Sequence, residues 1–262
     1  MSWDVDILHY GTQRVPGAQV FHQARWDTWQ VFHFYVFLLT GPDGVVLVDC
    51  GMDEPGPLNA AIEANMGEEN CIHHVGSGGM VTDLLHARGI APSDVSAVAL
   101  THLHADHAGN AGLFPGASFV VGRRGWEAHL RRRVTHARLV SPPAFPADAL
   151  ATLDAADGSG RLLLADDGED AVPGLAVRTI GGHTDDSTAY VVDSTAGALV
   201  IPGDTIWTFE NLEFDLPVGS HLDLPACYDA MAWARSAGDG VLPSHDPSLV
   251  ERHPDVRIRK AS

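Results

Sequence analysis

The feature that most constrains this chain is the run Thr101-His-Leu-His-Ala-Asp-His-Ala-Gly109, which places three histidines and one aspartate within six positions. It directly follows the apolar segment Val95–Leu100, which is typical of a buried strand. Neutral imidazole and carboxylate are the ligands that zinc and similar divalent metals prefer. Crowding these groups together is costly without a cation. The run therefore predicts a metal site rather than a solvated, histidine-rich surface loop.

The spacing within this run predicts how its side chains divide. His102 and His104 stand two residues apart, so in an extended segment their side chains point to the same side and can hold one metal. Asp106 and His107 follow after the chain turns, where adjacent residues no longer face opposite ways. These two side chains can reach a second metal.

Three further strand-like segments each end in a residue of a ligand type. His183 follows Thr179-Ile-Gly-Gly, Asp204 follows Leu199-Val-Ile-Pro-Gly, and His245 follows Val241-Leu-Pro-Ser. A lone histidine in such a place is more often structural than a ligand, but three strand ends that each deliver one ligand type argue against coincidence. The sequence therefore predicts a metal centre made of His102, His104, Asp106, His107, His183, Asp204 and His245.

Strand and helix patterns alternate along the whole length. Runs of β-branched and apolar residues predict strands at Val5–His9, Phe32–Thr40, Val45–Asp49, Ala97–Thr101, Ser118–Val121, Leu175–Thr179, Thr188–Asp193 and Ala198–Ile201. Helical periodicity predicts helices at Leu58–Met66, Val81–Arg88, Gly125–Arg133 and Ala226–Ser236. Asp223 is the expected cap of the last helix, with Pro225 in its first turn. Since no linker or low-complexity tract interrupts the pattern, we expect one domain over residues 1–262.

The stretch 141–174 is rich in Pro, Ala, Asp and Gly and carries the weakest pattern. Such composition usually marks a surface loop, which is the interpretation we favour. The alternative is a loop-and-helix insertion near the site.

Composition and charge exclude several classes of function. The net charge of −18, from 34 acidic and 16 basic residues, opposes binding to a phosphate backbone, so we expect a small-molecule substrate and no nucleic acid. No apolar run approaches the roughly 18 residues that span a bilayer, so no membrane is expected. The first residues lack the basic and apolar regions of an export signal. Three sparse cysteines, Cys50, Cys71 and Cys227, favour reduced thiols in a cytoplasmic protein.

The predicted ligands together resemble the full ligand set of the metallo-β-lactamase superfamily, and the upstream Leu47-Val-Asp-Cys-Gly51 matches that family's strand ending in Asp and Gly. The resemblance implies an α/β fold, a four-layer αβ/βα sandwich of two mixed sheets flanked by helices. It implies that Asp49 orients the histidine loop, with a simple turn former as the alternative. It implies that His102, His104 and His183 hold one metal, that Asp106, His107 and His245 hold the second, and that Asp204 bridges both.

Hydrolysis is the chemistry that this resemblance implies. Two cations lower the pKa of a bridging water and give a hydroxide nucleophile at neutral pH, while one metal polarises the substrate carbonyl. Asp106 is the expected proton shuttle to the leaving group. Zinc is the expected metal, although iron, manganese and cobalt use the same ligands. The sequence contains no Gly-x-Ser-x-Gly motif, so it gives no indication of a serine nucleophile.

Within the superfamily the chain is most similar to the N-acyl homoserine lactonase group. Asp49-Cys-Gly-Met52 and His102–Gly109 are similar to that group's Asp-x-Gly-Met and His-Leu-His-x-Asp-His-Ala-Gly, and Ser244-His-Asp246 resembles its closing Gly-His-Asp. The resemblance implies opening of a lactone or similar cyclic ester, and a homodimer is common in the group. The alternatives are a phosphodiesterase or another ester or thioester hydrolase on the same centre, or a metal-binding sensor without turnover.

Two departures from this group concern the substrate. The group places a tyrosine three residues after the bridging Asp, and its hydroxyl helps to hold the substrate carbonyl. Here that residue is Trp207, whose indole donates one hydrogen bond but cannot transfer a proton. Trp207 is expected either to wall an apolar pocket or to be core. The group's Pro-Gly-His after the His183 position is replaced by Asp185-Asp186-Ser187.

Further candidates for the substrate pocket lie on both sides of the metal ligands. Trp26 and Trp29 precede the aromatic strand Phe32–Phe37, which we expect to be core, and His221 follows Gly219-Ser220. Other histidines, among them His73, His74 and His129, have no ligand-like context. A cluster of arginines is expected to be a solvated helix face, with docking of a carboxylate substrate or of an acidic face of a second subunit as the alternative. The cluster comprises Arg123, Arg124, Arg131, Arg132, Arg133 and Arg138.

Overall fold

Apolar runs that alternate with helices form two β-sheets packed face to face, with helices on the outer faces. The computed structural model describes residues 2–140, 143–253 and 257–258. The strands are β1 (Asp4–Pro16), β2 (Trp29–Gly41), β3 (Gly44–Val48), β4 (His73–His74), β5 (Val95–Ala99), β6 (Ser118–Gly122), β7 (Leu162–Ala165), β8 (Asp170–Val172), β9 (Leu175–Thr179), β10 (Thr188–Ser194), β11 (Gly197–Ile201) and β12 (Gly240–Val241). The helices are α1 (Gly17–Val20), α2 (Gly56–Met66), α3 (Val81–His86), α4 (Ala105–Ala108), α5 (Arg123–Thr135), α6 (Ala147–Gly158), α7 (Phe209–Glu213), α8 (Leu224–Ala234) and α9 (Ser248–Arg252).

The first sheet has the strand order β4-β1-β2-β3-β5-β6-β7. Its β1, β2 and β3 pair antiparallel. From β3 onward the pairs β3–β5, β5–β6 and β6–β7 are parallel. Parallel strands need crossover connections and are covered on both faces, which explains their continuous apolar character.

The second sheet has the order β12-β11-β10-β9-β8. Its pairs β8–β9, β9–β10 and β10–β11 are antiparallel, while β11–β12 is parallel. Consequently β9, β11 and β12 run in the same direction, and their carboxyl ends lie at one edge. Both sheets are mixed, as the resemblance implied.

Apolar side chains fill three layers of contact. Between the sheets, Tyr35 and Val120 of the first sheet pack with Tyr190 and Ile201 of the second. The outer face of the first sheet is covered by side chains of α2, α3, α5 and α6, among them Leu85, Trp126 and Leu153. The outer face of the second sheet packs Val200 against Met231 of α8. The predicted four-layer α/β sandwich is therefore confirmed.

Each predicted strand and helix is present, with ends shifted by at most three residues, except that β1 continues seven residues past its predicted end. Asp223 caps α8, as predicted, by accepting a hydrogen bond from the Ala226 amide at 3.1 Å. The short strands β4 and β12 were not predicted, because two residues are too few to carry a periodic pattern. In the part of the chain that the structure describes, no helix is long and apolar enough to cross a membrane.

The interpretation of 141–174 as a surface loop is wrong for most of the stretch. It contains α6, β7 and β8, and α6 buries Ala149, Leu153 and Ala156 against the first sheet. Alanine gives little contrast between the two faces of a helix, so the buried face of α6 leaves almost no apolar periodicity in the sequence. Residues 141 and 142 lie outside the described residues.

Candidate metal centre

The predicted ligands converge because the strands that precede them end at one edge of the sandwich. His102 follows β5, and the short helix α4 carries Asp106 and His107. His183 follows β9 and Asp204 follows β11, two strands that run in the same direction. His245 comes after β12, which is parallel to β11. The fold thus brings together all seven side chains that the sequence predicted.

The first group of potential ligands consists of His102, His104, His183 and Asp204, with ligand atoms that all lie within 4.8 Å of one another. Nε2 of His102 lies 2.9 Å from Nδ1 of His104, and Nε2 of His183 lies 3.1 Å from the same atom. These distances are close to the separation of about 3.3 Å between neighbouring nitrogens of a tetrahedral zinc site.

The second group consists of Asp106, His107, Asp204 and His245. Nε2 of His107 lies 3.3 Å from Oδ2 of Asp106, and Nε2 of His245 lies 3.7 Å from the same oxygen. His107, Asp204 and His245 are buried, so the group is closed to bulk solvent on most sides.

Asp204 belongs to both groups and divides its oxygens between them. Its Oδ2 lies 3.8 Å from Nε2 of His102 and 3.6 Å from Nε2 of His183. Its Oδ1 lies 3.0 Å from Nε2 of both His107 and His245. One carboxylate therefore faces two adjacent groups of potential ligands, an arrangement that suits a bridging ligand.

Hydrogen bonds on the outer side of the rings fix which nitrogen faces the centre. Nδ1 of His183 lies 2.6 Å from the carbonyl oxygen of Ser220, and Nδ1 of His245 lies 3.0 Å from that of His33. A carbonyl only accepts, so both rings carry their hydrogen on Nδ1. The lone pair of each Nε2 then points inward, as metal ligation requires.

Among the described residues, two buried atoms of the centre have no hydrogen-bond partner: Nε2 of His107 and Oδ1 of Asp204. Leaving buried polar atoms uncompensated costs about 1–3 kcal/mol each. A divalent cation on each side of Asp204 would satisfy them together with the surrounding nitrogens. The residues present therefore fit two divalent metals.

The pKa values of these groups suit metal ligation. Burial, aided by His183, lowers the pKa of His104 to about 3, and burial also holds the pKa of His102 well below its usual range. Burial alone would raise the pKa of Asp204, but His107 and His245 hold it well below its usual value. Burial would lower the pKa of His107, yet Asp204 and Asp106 raise it well above the usual range. Without a cation, His107 is the ring that holds a proton.

Asp49 supports the centre from behind. Its Oδ2 lies 2.7 Å from Nδ1 of His107, and its carboxylate accepts hydrogen bonds from the amide and hydroxyl of Thr101 at 2.8 to 3.0 Å. The close approach of the neighbouring loop depends on Gly203, which has φ +55°, and a Cβ there would lie 2.7 Å from Cβ of Thr101. Asp49 thus orients His107, in keeping with the role that the resemblance implied.

Two residues that the sequence did not single out as supports also hold the histidine loop. Oδ2 of Asp186 accepts a hydrogen bond from the amide of Leu103 at 2.9 Å, and the Tyr10 hydroxyl donates to the carbonyl oxygen of Asp106 at 2.7 Å. Asp186 lies where the lactonase motif Pro-Gly-His is replaced, and this replacement was the one feature of the sequence that drew attention to it. Nothing in the sequence indicated a supporting role for Tyr10, which simply follows an apolar strand-like run.

Trp207 combines the two roles that were left open. Its side chain is 5% exposed and belongs to an apolar cluster with Phe32 and Val218. Its ring also lies edge-on to His183 and His245, with centroids 5.7 and 6.0 Å apart. The indole Nε1 is buried and has no hydrogen-bond partner in the described part of the chain. Trp207 is a core residue that forms a wall of the centre.

The other candidates for the substrate pocket lie in different surroundings. Trp26 is 70% exposed and Trp29 is 43% exposed, and neither lines the cavity beside the centre. His221 does line that cavity, together with His104 and His183. The aromatic strand that includes Phe32 to Phe37 is buried core, as expected, and Phe32 stacks on the ring of His245 with centroids 4.6 Å apart.

The arginine cluster of α5 is mostly engaged in ion pairs on the surface. Arg123 pairs with Asp166 at 2.9 Å, Arg133 pairs with Asp154 at 2.8 Å, and Arg132 pairs with Asp185. Arg124 and Arg131 are exposed and line a cleft beside Gly181 and Gly182. These ion pairs fit the expected solvated helix face.

Comparison with known proteins agrees with this geometry. The sequence profile of the metallo-beta-lactamase superfamily matches residues 32–245. The N-acyl homoserine lactonase AiiA of Bacillus thuringiensis subsp. kurstaki is 24% identical over 185 residues, which cover 70% of this chain and 68% of the relative. Human metallo-beta-lactamase domain-containing protein 1 is 57% identical over a shorter stretch of 37 residues, 14% of either chain.

Solved structures share the whole fold. An N-acyl homoserine lactone hydrolase with the product N-hexanoyl-L-homoserine bound at its catalytic metal centre superposes with a TM-score of 0.73 and 19% identity, over 99% of this chain and 98% of that chain. AidC, a dizinc quorum-quenching lactonase, superposes with a TM-score of 0.63 and 16% identity, over 93% and 87%. The family profile spans the segment that carries every predicted ligand, so the chain belongs to the metallo-beta-lactamase superfamily.

Proposed function

We propose that this metal-dependent hydrolase works with two divalent metals and opens a lactone or a similar cyclic ester. The observation that carries the proposal is the carboxylate of Asp204, whose two oxygens face two separate groups of potential ligands. A site for one metal would not require the two oxygens of Asp204 to face different groups of ligands. Several relatives by sequence are N-acyl homoserine lactonases, which supports the choice of a cyclic ester over other substrates.

Two cations held by these seven side chains would supply an activated water molecule and would polarise a substrate carbonyl. Zinc is the metal that this set of imidazoles and carboxylates favours, and one structural neighbour is a dizinc enzyme. The protein's own part is to hold the rings in the ligating tautomer and to exclude water from the buried side of the centre. The outer acceptors of His107, His183 and His245 perform the first task.

Asp106 is the residue that we assign to proton transfer. Its side chain is 16% exposed, more than that of His107 or His245, so it borders the open side of the centre. Its Oδ2 faces the two histidines, which leaves Oδ1 to take the proton of the attacking water and to pass it to the departing alkoxide. His107 and His245 outweigh burial and hold the pKa of Asp106 below its usual value, so it starts ionised and able to accept.

Trp207 limits how the substrate carbonyl can be held. Its indole N–H can donate to an oxygen but cannot take part in proton transfer. In this chain the proton therefore has to pass through Asp106 rather than through a phenol at position 207.

A panel of substrates tests the proposed function. Zinc-loaded protein is assayed on γ-lactones, thioesters, phosphodiesters and β-lactams, with Asp106→Asn as the catalytic variant and the exposed Asp229→Asn of α8 as the matched control. We expect lactones to be opened, Asp106→Asn to keep most of its metal while kcat falls by about 100-fold or more, and Asp229→Asn to match the wild type. Turnover confined to phosphodiesters, or metal binding without any turnover, would refute the lactonase proposal.

We also infer that residues 1–262 form one domain. The support is the apolar layer between the sheets, which contains Trp3 near one end of the chain and Ile258 near the other. Limited proteolysis that released a stable fragment carrying only one sheet would contradict this inference.

A further inference from the structure

A cavity of about 160 Å³ opens beside the first group of ligands. His104 and His183 form one wall, and Phe145 lines it as well. His129 and Arg132, one turn apart on α5, also line it. Since two potential metal ligands form its wall, a molecule whose ester lay at the metal centre would have room to extend into this cavity.

His129 is the unusual residue of the cavity. Its side chain is 2% exposed, and neither of its buried ring nitrogens has a hydrogen-bond partner among the residues that the structure describes. The ring packs on Trp126, with centroids 5.6 Å apart, and on Phe145, with centroids 5.9 Å apart. A buried polar group without a partner costs about 1–3 kcal/mol. A phenylalanine would fill the same place between two aromatic rings without that free-energy cost. We therefore expect the ring nitrogens of His129 to have a function.

The imidazole is neutral under ordinary conditions. Burial, aided by the positive charge of Arg133, lowers its pKa to about 4. A neutral imidazole offers one donor and one acceptor. A half-turn about the Cβ–Cγ bond exchanges nitrogen and carbon positions in the ring, so nitrogen can be presented from either edge. A ligand with a hydroxyl or a carbonyl can therefore pair with it.

Size and charge define the kind of group that the cavity accepts. Its volume is well below the roughly 300–1,000 Å³ of pockets that enclose a drug-sized ligand. The charge of Arg132 is already paired with Asp185, so this side chain offers no uncompensated charge to a strong anion. A compact, uncharged polar substituent fits these limits better than a long hydrocarbon chain or a phosphate.

We propose that His129 is a specificity-determining residue that hydrogen-bonds a small hydroxyl or carbonyl substituent carried by the substrate next to its scissile ester. The preferred substrates are then compact lactones with such a substituent on the ring carbon beside the carbonyl. This inference rests on the proposed function, because it places the ester of the substrate at the metal centre. His129 belongs to the binding step and takes no part in bond breaking.

The test compares two small lactones on zinc-loaded, full-length protein: γ-butyrolactone and its α-hydroxy derivative. His129→Phe keeps the aromatic packing and removes both nitrogens, while His129→Gln keeps one donor and one acceptor. Val134→Ala, at an exposed position of the same helix, is the control. We expect His129→Phe to raise KM for the hydroxylated lactone about tenfold and to leave kcat for both lactones unchanged, as the loss of one hydrogen bond predicts. His129→Gln should restore most of the difference.

Binding of the ring-opened products gives a second readout that does not depend on turnover. By calorimetry, the wild type should bind 2,4-dihydroxybutanoate more tightly than 4-hydroxybutanoate, and His129→Phe should bind both equally. Equal changes for both lactones in His129→Phe, or no change for either, would overturn the inference while leaving the proposed function intact. If the wild type opens neither lactone and binds both ring-opened products equally, the inference is wrong, while the substrate panel described above decides the proposed function separately.

Discussion

The carboxylate of Asp49 lies 2.7 Å from Nδ1 of His107 and so determines which nitrogen of that ring faces the centre. Asp49 has φ +60°, an uncommon conformation for a residue other than glycine, and it is buried. The strand end of β3 is thus shaped to place an acceptor behind a potential ligand. Outer acceptors of this kind commonly set both the tautomer and the basicity of a ligating histidine.

The first prediction concerns Asp49→Asn. The amide oxygen can still accept from Thr101, but the amide NH₂ would donate to Nδ1 of His107 and move the ring hydrogen to Nε2. We expect the affinity of the second group for zinc to fall about 10–100-fold. Chelator competition measures this directly, and the first group should change little. Unaltered binding of both metals would show that Asp49 does not set the tautomer.

The second prediction compares two changes at Asp186. Burial raises the pKa of this carboxyl, and its Oδ2 accepts from the amide of Leu103. Asp186→Asn keeps an acceptor without a buried charge, so the free energy of unfolding at neutral pH should change by less than about 1 kcal/mol. Asp186→Ala leaves a buried amide unpaired and should cost about 1–3 kcal/mol. Denaturant unfolding of the metal-free proteins separates the two, and equal losses would contradict the role of the hydrogen bond.

The third prediction concerns protons released on metal binding. In the metal-free protein Asp204 and Asp106 outweigh burial and raise the pKa of His107 well above its usual range. The resulting stabilisation of the metal-free protein is fully present below the unfolded-state pKa of about 6.5 and is lost as the pH rises through the folded-state pKa. A cation at Nε2 has to displace this proton, so metal affinity increases with pH.

Calorimetry in two buffers of different ionisation enthalpy measures the released proton. At neutral pH we expect His107 to contribute about one released proton per chain as the second group fills, in addition to any proton released by a metal-activated water. In His107→Ala the number of protons released should fall by about one. Binding heats that are identical in both buffers for the wild type would contradict the assignment of the proton to His107.

The ligand set could be predicted because each member occupies a strand end, where a sequence pattern and its place in the fold coincide. His102, His183 and Asp204 all follow an apolar run whose direction in the sheet determines where the side chain arrives. The role of Asp49 behind the histidine loop was predicted from the family resemblance. The division of Asp204 between two groups followed only from the family resemblance, since the separation of carboxylate oxygens is not encoded in spacing.

The parts that could not be predicted depend on tertiary packing. His129 lies on the same face of α5 as Gly125 and Trp126, but a histidine on a buried helix face looks the same in a sequence whether or not it has a partner. The helix α6 could not be recognised in the sequence because its alanines leave almost no apolar periodicity. The hydrogen bond from Leu103 to Asp186 joins loops that follow β5 and β9, so it can be recognised only when the packing of the two sheets is known.

The two-metal lactonase mechanism is tested most directly by the rate of lactone opening as zinc is added back to chelator-stripped protein. We expect no turnover without metal and activity that rises until about two equivalents per chain are bound. Asp204→Ala should bind zinc weakly and stay inactive throughout the titration. Full activity in the stripped protein, or saturation with two metals and no opening of any lactone, would show that the protein does not work in this way.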